Sequence, residues 1–464
     1  MTLGAKTRQF IAASSANLAT MMYGISVGWV SPSIPLLMSD DTPLPSGPLT
    51  KKEASLISAL LYMAGMVGSL SFGWLADRIG RKWALFSGTC PHIIAFLLII
   101  FAQDVNFLYV SRIFSGLGCG ALFVVLPIYV SEISEDKVRG TLGAIFCNMV
   151  SIGIVVGRCL GSYLNFYVVP YVVLGLLAIF VLSFPFFPET PQYLLLKRRE
   201  SKAEKSLKRF RGAKRDADGK MPEKFEQEFE ALKNSPTLSN QSSSVTWEDF
   251  KPSTTRKAIL ISLVLISGRS VCGVLPLDNY TASVLREAGS SWDANLGAII
   301  VGIFELIGSN LAIVFVERLG RRTILIVSSL GSAICLTVMG ILFLLRSIGT
   351  DLSSFGWLSV AAFSGQMTLA AIGIVAIPFS VAAEVLPPKL RGVVCTGFLM
   401  FYWVLTFFIV NFFLLFAEFC GMYTPMWCFA GWCIFELAFV YFYLPETKGK
   451  SFEEVTLALQ GKAM

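Results

Sequence analysis

The chain has 464 residues, 54% of them hydrophobic and 15% charged, and its 38 Lys and Arg against 31 Asp and Glu give a net charge of +7. Soluble domains carry about a quarter charged residues, so this chain has too little polar surface to face water all round. The composition excludes a disordered or collagen-like chain and points to a protein whose solvent is largely lipid. The ten cysteines are scattered without a CxxC pair or a Cys/His set, and His92 is the sole histidine. They read as small core residues, so neither a metal nor another cofactor is expected.

Apolar runs near 20 residues, the length that crosses about 30 Å of hydrocarbon as a helix, recur along the chain. The first six fall near 9–31, 54–76, 83–103, 107–130, 141–163 and 168–187. A polar interval follows, and then six more near 258–281, 295–316, 323–345, 355–383, 392–417 and 422–444. The first run lacks a small-residue cleavage site and is read as a retained helix. The expected architecture is all-α: a bundle over 1–187, a linker over 188–257, a second bundle over 258–445 and a tail over 446–464.

Lys and Arg set the orientation, because basic residues favour cytoplasmic loops. With both termini inside, four lie outside (Lys51, Lys52, Arg286, Arg346), three lie within spans (Arg112, Arg158, Arg269), and 31 of the 38 are cytoplasmic. The basic balance therefore reports loop topology and not a nucleic-acid partner. The linker alternates basic (Lys202 to Arg215) and acidic (Glu223 to Glu230) patches before a Ser-rich stretch, Ser235 to Ser244. It reads as short amphipathic helices in a solvated, membrane-hugging linker, too small to be a catalytic domain.

The two halves repeat three motifs at equivalent places. Gly73-Trp-Leu-Ala-Asp77-Arg78-Ile-Gly80-Arg81-Lys82 matches Glu317-Arg318-Leu-Gly320-Arg321-Arg322. Glu132 with Arg139-Gly140 matches Glu384 with Arg391-Gly392, and Pro188-Glu189-Thr190 matches Pro445-Glu446-Thr447. Three paired motifs in two six-helix halves indicate duplication. The chain resembles the major facilitator superfamily and, within it, the sugar porters, from about residue 10 to 455. The segments at Pro188 to Leu194 and Pro445 to Gly449, with Arg112, carry that resemblance. Tyr280 to Gly289, continuing to Gly302, resembles the insect facilitated trehalose transporters.

The resemblance implies twelve membrane helices in two pseudo-symmetric six-helix bundles that rock around a central cavity. It implies a multi-pass plasma-membrane protein acting on a small-molecule solute, most simply a sugar, with no obligate protein partner evident. Exposed ion pairs are worth about 0–1 kcal/mol each, so a network of them can bias one face shut yet remain reversible. Asp77, Arg78, Arg81, Arg112, Glu132, Arg139 and Glu189 are assigned to such a cytoplasmic latch, with Glu317, Arg318, Arg321, Glu384, Arg391 and Glu446 as counterparts. These charges are expected to pair between bundles when that face is closed.

Ionisable groups at membrane depth are costly and usually serve function. Here they are Arg112, Arg158, Arg269, Asp278, Glu305 and Glu436. Against the sugar porter pattern, Arg269 and Ser270 replace a glutamine pair and Leu275 an asparagine. Cys147 replaces the fifth-helix glutamine, Glu305 an eighth-helix asparagine, Phe379 a tryptophan and Thr406 an eleventh-helix asparagine. Together with Asn148 and Tyr402 these are the candidate cavity residues. Amides suit neutral polyols, whereas Arg and carboxylate favour charged groups, and Arg269 is expected to pair with Glu305 across the cavity.

Ser26 stands where proton-coupled sugar porters carry an aspartate, which favours facilitated diffusion, although Glu305 could accept a proton. Asn279-Tyr-Thr281 is a glycosylation sequon expected to lie too close to the bilayer for use, and Asn240-Gln-Ser242 is cytoplasmic. No enzymatic role is expected: the lone histidine lies in an apolar helix, and Gly116-Leu-Gly118-Cys-Gly120 lacks the Lys of a phosphate-binding loop. Besides a sugar uniporter, two alternatives stand: a transporter of another small polar or charged solute, and a transport-inactive membrane sensor.

Overall fold

The computed structural model describes residues 4–213, 221–234, 245–289, 292–350, 355–450 and 452–460, without the side chains of Ala5, Asp136, Lys137 and Glu317. The Ser-rich stretch, the Asn240 sequon and the Glu317 side chain thus lie outside the described residues. Within them every regular element is helical. Hydrocarbon leaves no alternative but a closed barrel, since each backbone N–H and C=O must be satisfied internally.

Helices α1 (Ala5–Gly28) and α2 (Val30–Leu37) form the first crossing, bent at Trp29 with Pro35 inside the second piece. Next come α3 (Lys51–Ile79), α4 (Arg81–Ser87) with α5 (Cys90–Ile100), α6 (Val105–Ile133), α7 (Asp136–Tyr163) and α8 (Val169–Ser183). The linker holds α9 (Pro191–Leu196), α10 (Glu200–Arg211) and α11 (Glu223–Lys233). The second half contains α12 (Ser253–Val271) with α13 (Val274–Glu287), α14 (Ala294–Leu319) and α15 (Arg321–Ser347). It closes with α16 (Gly356–Ile372) and α17 (Pro378–Val385), α18 (Pro388–Cys420), α19 (Tyr423–Tyr443) and the tail helix α20 (Phe452–Leu459). Among the described residues, eleven spans are long and apolar enough to cross a bilayer, and α16 supplies a shorter apolar twelfth.

The seventh and tenth crossings, expected as single runs, are broken. Between α12 and α13 the chain turns at Gly273 with φ +84°, a left-handed value open chiefly to glycine. Between α16 and α17 it is irregular until Pro378 restarts the helix. Irregular backbone at membrane depth is tolerated where it lines a cavity, and both breaks do so.

In the first bundle α1 packs on α7 and α3 on α6; in the second, α14 packs on α16 and α15 on α19. The halves meet through α3 with α18, α7 with α14, and α2 with α13. Both ends of the described chain sit on one face, here the linker face. Arg8 Nη1 donates to the Arg209 carbonyl (3.3 Å) and Lys257 Nζ to the Leu459 carbonyl (3.0 Å). The linker is less solvated than expected. Ala203, Leu207 and Phe210 of α10 are buried, and Arg211 bonds the Ile133 carbonyl (2.8 Å) and Glu228 (2.7 Å), tying α10 and α11 to α6.

Asn279 is buried; its amide donates to Tyr62 Oη (2.8 Å) and to the Leu275 carbonyl (2.8 Å). The sequon is therefore closed by packing as well as by depth. Glycosidase treatment is expected to leave the mobility of both the wild type and Asn279→Gln unchanged on denaturing gels. The α1–α7 contact depends on bare backbone, because a Cβ on Gly153 would overlap the Met21 carbonyl and Gly24. Gly153→Val should lower thermal stability in detergent by about 1–3 kcal/mol, measured by size-exclusion chromatography after heating.

Candidate substrate cavity and linker-face ion pairs

A cavity of about 740 Å³, counting the part open to solvent, lies between the halves. One wall comes from α1 and α7 (Tyr23, Cys147, Ser151), the other from α12, α13 and α14 (Arg269, Asp278, Glu305). The irregular segment before α17 completes it with Val375 and Ala376.

Four candidate residues line this space: Cys147, Arg269, Leu275 and Glu305. The other five stand behind them. Asn148 accepts from Ser309, which lines the cavity, and donates to Asn310 (3.1 Å). Ser270 and Thr406 are buried and bond each other (2.8 Å), joining α12 to α18. Tyr402 lies under Arg269, whose guanidinium carbon is 5.4 Å from the ring centre, and Phe379 meets Tyr402 edge-on at 6.4 Å. Trp403 has no counterpart among the candidates. It is fully buried, donates to Ser69 Oγ (3.1 Å) and packs on Tyr62 and Phe123 across the bundle interface.

The charges combine differently from expectation. Arg269 does not pair with Glu305; its Nη1 donates to the Val375 carbonyl (2.8 Å), a group exposed by the break before α17. Irregular backbone offers that acceptor without burying a second charge. A buried ion pair between the halves is instead formed by Arg158 with Asp278 at 2.8 Å, with side chains 0% and 3% exposed. Arg158 also donates to the Ala298 carbonyl (3.0 Å) and Thr281 Oγ1 (2.9 Å). The Glu305 carboxyl lies beside that of Asp278 in the cavity lining.

This cluster closes the face opposite the linker. Nearby, Ser31 Oγ accepts from the Ala282 N–H (3.0 Å), and exposed Lys51 pairs with Glu418 (3.0 Å). On the linker face the first residues of α7 (Arg139 to Thr141) and of α18 (Gly392 and Val393) are exposed, and a Cβ built on Gly140, Gly143, Gly392 or Gly397 meets nothing within 4 Å. The cavity is shut on the far face and open toward the linker.

The latch motifs form two matching triads, one at the linker face of each bundle. Arg81 pairs with Glu132 (3.1 Å) and Asp77 (3.1 Å), while Glu189 accepts from the backbone N–H of Lys82 (3.0 Å) and Thr190 (2.9 Å). In the second half Arg321 pairs with Glu384 (3.1 Å), and Glu446 accepts from the N–H of Arg321 (2.9 Å) and Arg322 (3.1 Å). Burial pushes the Glu189 carboxyl up, against those two N–H groups, which pull it down. Gly80 (φ +104°) and Gly320 (φ +86°) permit both triads, since a Cβ at either would overlap the carboxylate of Glu189 or Glu446.

All these pairs lie within a bundle in this conformation, where they brace helix ends and do not bridge the halves. Arg78 rests on Trp74 (5.1 Å), and the Arg318 carbonyl accepts from Lys448 (3.0 Å). Arg139 and Arg391 sit at the starts of α7 and α18. Arg112 is not part of the latch. It lies 20 residues before Glu132 on α6, about 30 Å away along the helix. There it bonds the Ser26 carbonyl (2.9 Å) and Oγ (3.0 Å) and covers the Trp29 ring at 5.0 Å. Outside the spans, Lys389 bonds Asp249 (2.7 Å), ties the linker to α18 and holds that carboxyl down at about 2.

Arg81→Ala strands Glu132, 9% exposed at its side chain, without its cation. A loss of about 3–5 kcal/mol is expected, read as a lower melting temperature in detergent, whereas Asp77→Ala, at an exposed carboxylate, should cost about 1 kcal/mol or less.

A family model described as "Sugar (and other) transporter" matches residues 12–459. Facilitated trehalose transporters are similar over 98% of this chain: that of Aedes aegypti at 32% identity and that of Polypedilum vanderplanki at 31%. The chain spans 55% of the former's length and 88% of the latter's. The inward-open xylose transporter XylE from E. coli superposes with a TM-score of 0.78 at 19% identity, covering 98% of this chain and 99% of that one. The XylE likeness shows the twelve-helix fold, and with the family match over nearly the whole length it means that the chain belongs to the sugar (and other) transporter family.

Proposed function

We propose that this protein is an alternating-access transporter that carries a sugar, trehalose or a hexose in class, down its gradient across the plasma membrane. Both termini face the cytoplasm on this reading, and the chain performs no catalysis. The bundles run over 1–187 and 258–445, the linker over 188–257 and the tail over 446–464. One observation carries the proposal: a cavity between two duplicated bundles, shut at the far face and open at the linker face. The similarity to facilitated trehalose transporters supports the substrate class, and Ser26 beside Arg112, in place of a carboxylate, supports uncoupled transport.

Within the cavity, Cys147, Arg269, Leu275 and Glu305 are the residues proposed to meet the solute. Asn148, Ser270, Phe379, Tyr402 and Thr406 hold that lining in place. The guanidinium of Arg269 donates to sugar hydroxyls, with Tyr402 beneath it and the Val375 carbonyl fixing its plane. The same guanidinium favours a second reading, a solute with an anionic group, because arginine matches carboxylate and phosphate geometry. In both readings the latch triads keep helix ends stiff while the halves rock.

Oocytes expressing the protein are expected to take up radiolabelled trehalose or glucose above water-injected controls; uptake of neither overturns the sugar reading. Arg269→Ala should cut uptake about tenfold or more, the loss of a charge-assisted hydrogen bond worth about 1.5–3 kcal/mol. Arg269→Gln should keep uptake of a neutral sugar, whereas abolishing uptake of an anionic solute identifies the second reading.

A further inference from the structure

The far-face gate contains more acid than base. Two carboxyl groups, Asp278 on α13 and Glu305 on α14, face one guanidinium, Arg158 on α7, which is fully buried. Both carboxyls are more than nine-tenths buried, and both line the roof of the cavity. Arg158 donates from its two terminal nitrogens to Asp278, Thr281 and the Ala298 carbonyl, and its Nε meets no acceptor. Glu305 Oε2 is buried and meets no donor in the protein, and its carboxyl lies beside that of Asp278 at the roof of the cavity.

A carboxylate is an acceptor only; two ionised carboxylates side by side repel each other, and a hydrogen placed on one turns that repulsion into a hydrogen bond. Full ionisation would also leave one uncompensated negative charge in a water-poor gate, a burial that proteins avoid by neutralising the group. We propose that Asp278 and Glu305 share one proton inside the closed far-face gate and so form a proton-binding site at the roof of the cavity. An O–H bond forms on one carboxyl, the oxygen of the other accepts it, and the cluster with Arg158 becomes neutral.

No other charge in contact supplies the balance. Arg269, the other cation of the cavity, is bound to Val375 and Tyr402. Around the site α2 and α16 carry no titratable side chain, and the ionisable groups of α15 other than Cys335 stand at its ends. Tyr62 of α3, engaged by Asn279, and Tyr23 and Cys147, which line the cavity from α1 and α7, are neutral near pH 7. The proton also links to the transport cycle. Arg158 belongs to one bundle and the carboxyls to the other, so opening the far face separates them into water, where both acids ionise near pH 4. Closing that face therefore takes up one proton, and mild acid favours the closed gate.

Infrared difference spectroscopy of the purified full-length protein tests this without any solute. The site does not depend on which solute is carried, so a chain that fails to take up sugar can still show it. At neutral pH the wild type is expected to give a protonated-carboxyl C=O band that shifts in D2O. In the Glu436→Gln background, which removes the other buried and unpartnered carboxyl, the band should persist, and adding either Glu305→Gln or Asp278→Asn should remove it, since Arg158 then neutralises the single remaining carboxylate. Monodisperse elution of each variant secures the comparison. A wild type without the band, or a band that survives both substitutions, overturns the proposal.

Discussion

One buried guanidinium holds the two halves of this molecule together on the far face. Arg158 leaves α7, reaches between α13 and α14, and finds Asp278, Thr281 and the Ala298 carbonyl in the opposite bundle. Removing a charge from water costs several kcal/mol, recovered only when geometry and partners are good, so a separated Arg158 must find water again. The other contacts at this face are weaker: one N–H on Ser31, one amide on Tyr62, one exposed Lys51–Glu418 pair. The far face is thus joined by this buried ion pair together with the packing of α3 on α18 and of α2 on α13.

The linker face is organised on the opposite principle. There Arg81 with Glu132 and Arg321 with Glu384 each tie neighbouring helix ends within one bundle. Glu189 and Glu446 satisfy N–H groups that begin α4 and α15 and have no helical partner of their own. Each bundle therefore moves as a stiff body, and the gap between them can change at little cost within either. The breaks at Gly273 and before Pro378 add the complement: carbonyls released from helical bonding face the cavity, and one of them fixes Arg269.

Much of this was legible in the sequence, for physical reasons. Hydrocarbon thickness dictates the length of a crossing, so twelve apolar runs announced twelve spans; duplication left three motif pairs that coincide with the two triads. Burial of charge is rare enough that Arg158, Arg269, Asp278 and Glu305 stood out as functional candidates. Their partners did not. Arg269 with Glu305 was a reasonable pairing by type, yet helix rotation and the break before α17 gave the guanidinium a carbonyl and left the carboxyl beside Asp278. Arg112 was misplaced because resemblance supplies a role without depth, whereas its position 20 residues before Glu132 puts it at the other end of α6.

The sequence by itself determined the solvent of the chain, the number of its crossings, its twofold internal repeat and the charges that lipid would not tolerate unpaired. These are one-dimensional quantities: length, composition and period. The tertiary structure alone decided which charge meets which, that Trp403 seals the interface, that Asn279 is closed to modification, and that one face is shut while the other is open. Those outcomes depend on rotation, depth and separation of helices whose contacts are far apart in the chain, and no local pattern encodes a distance between two bundles.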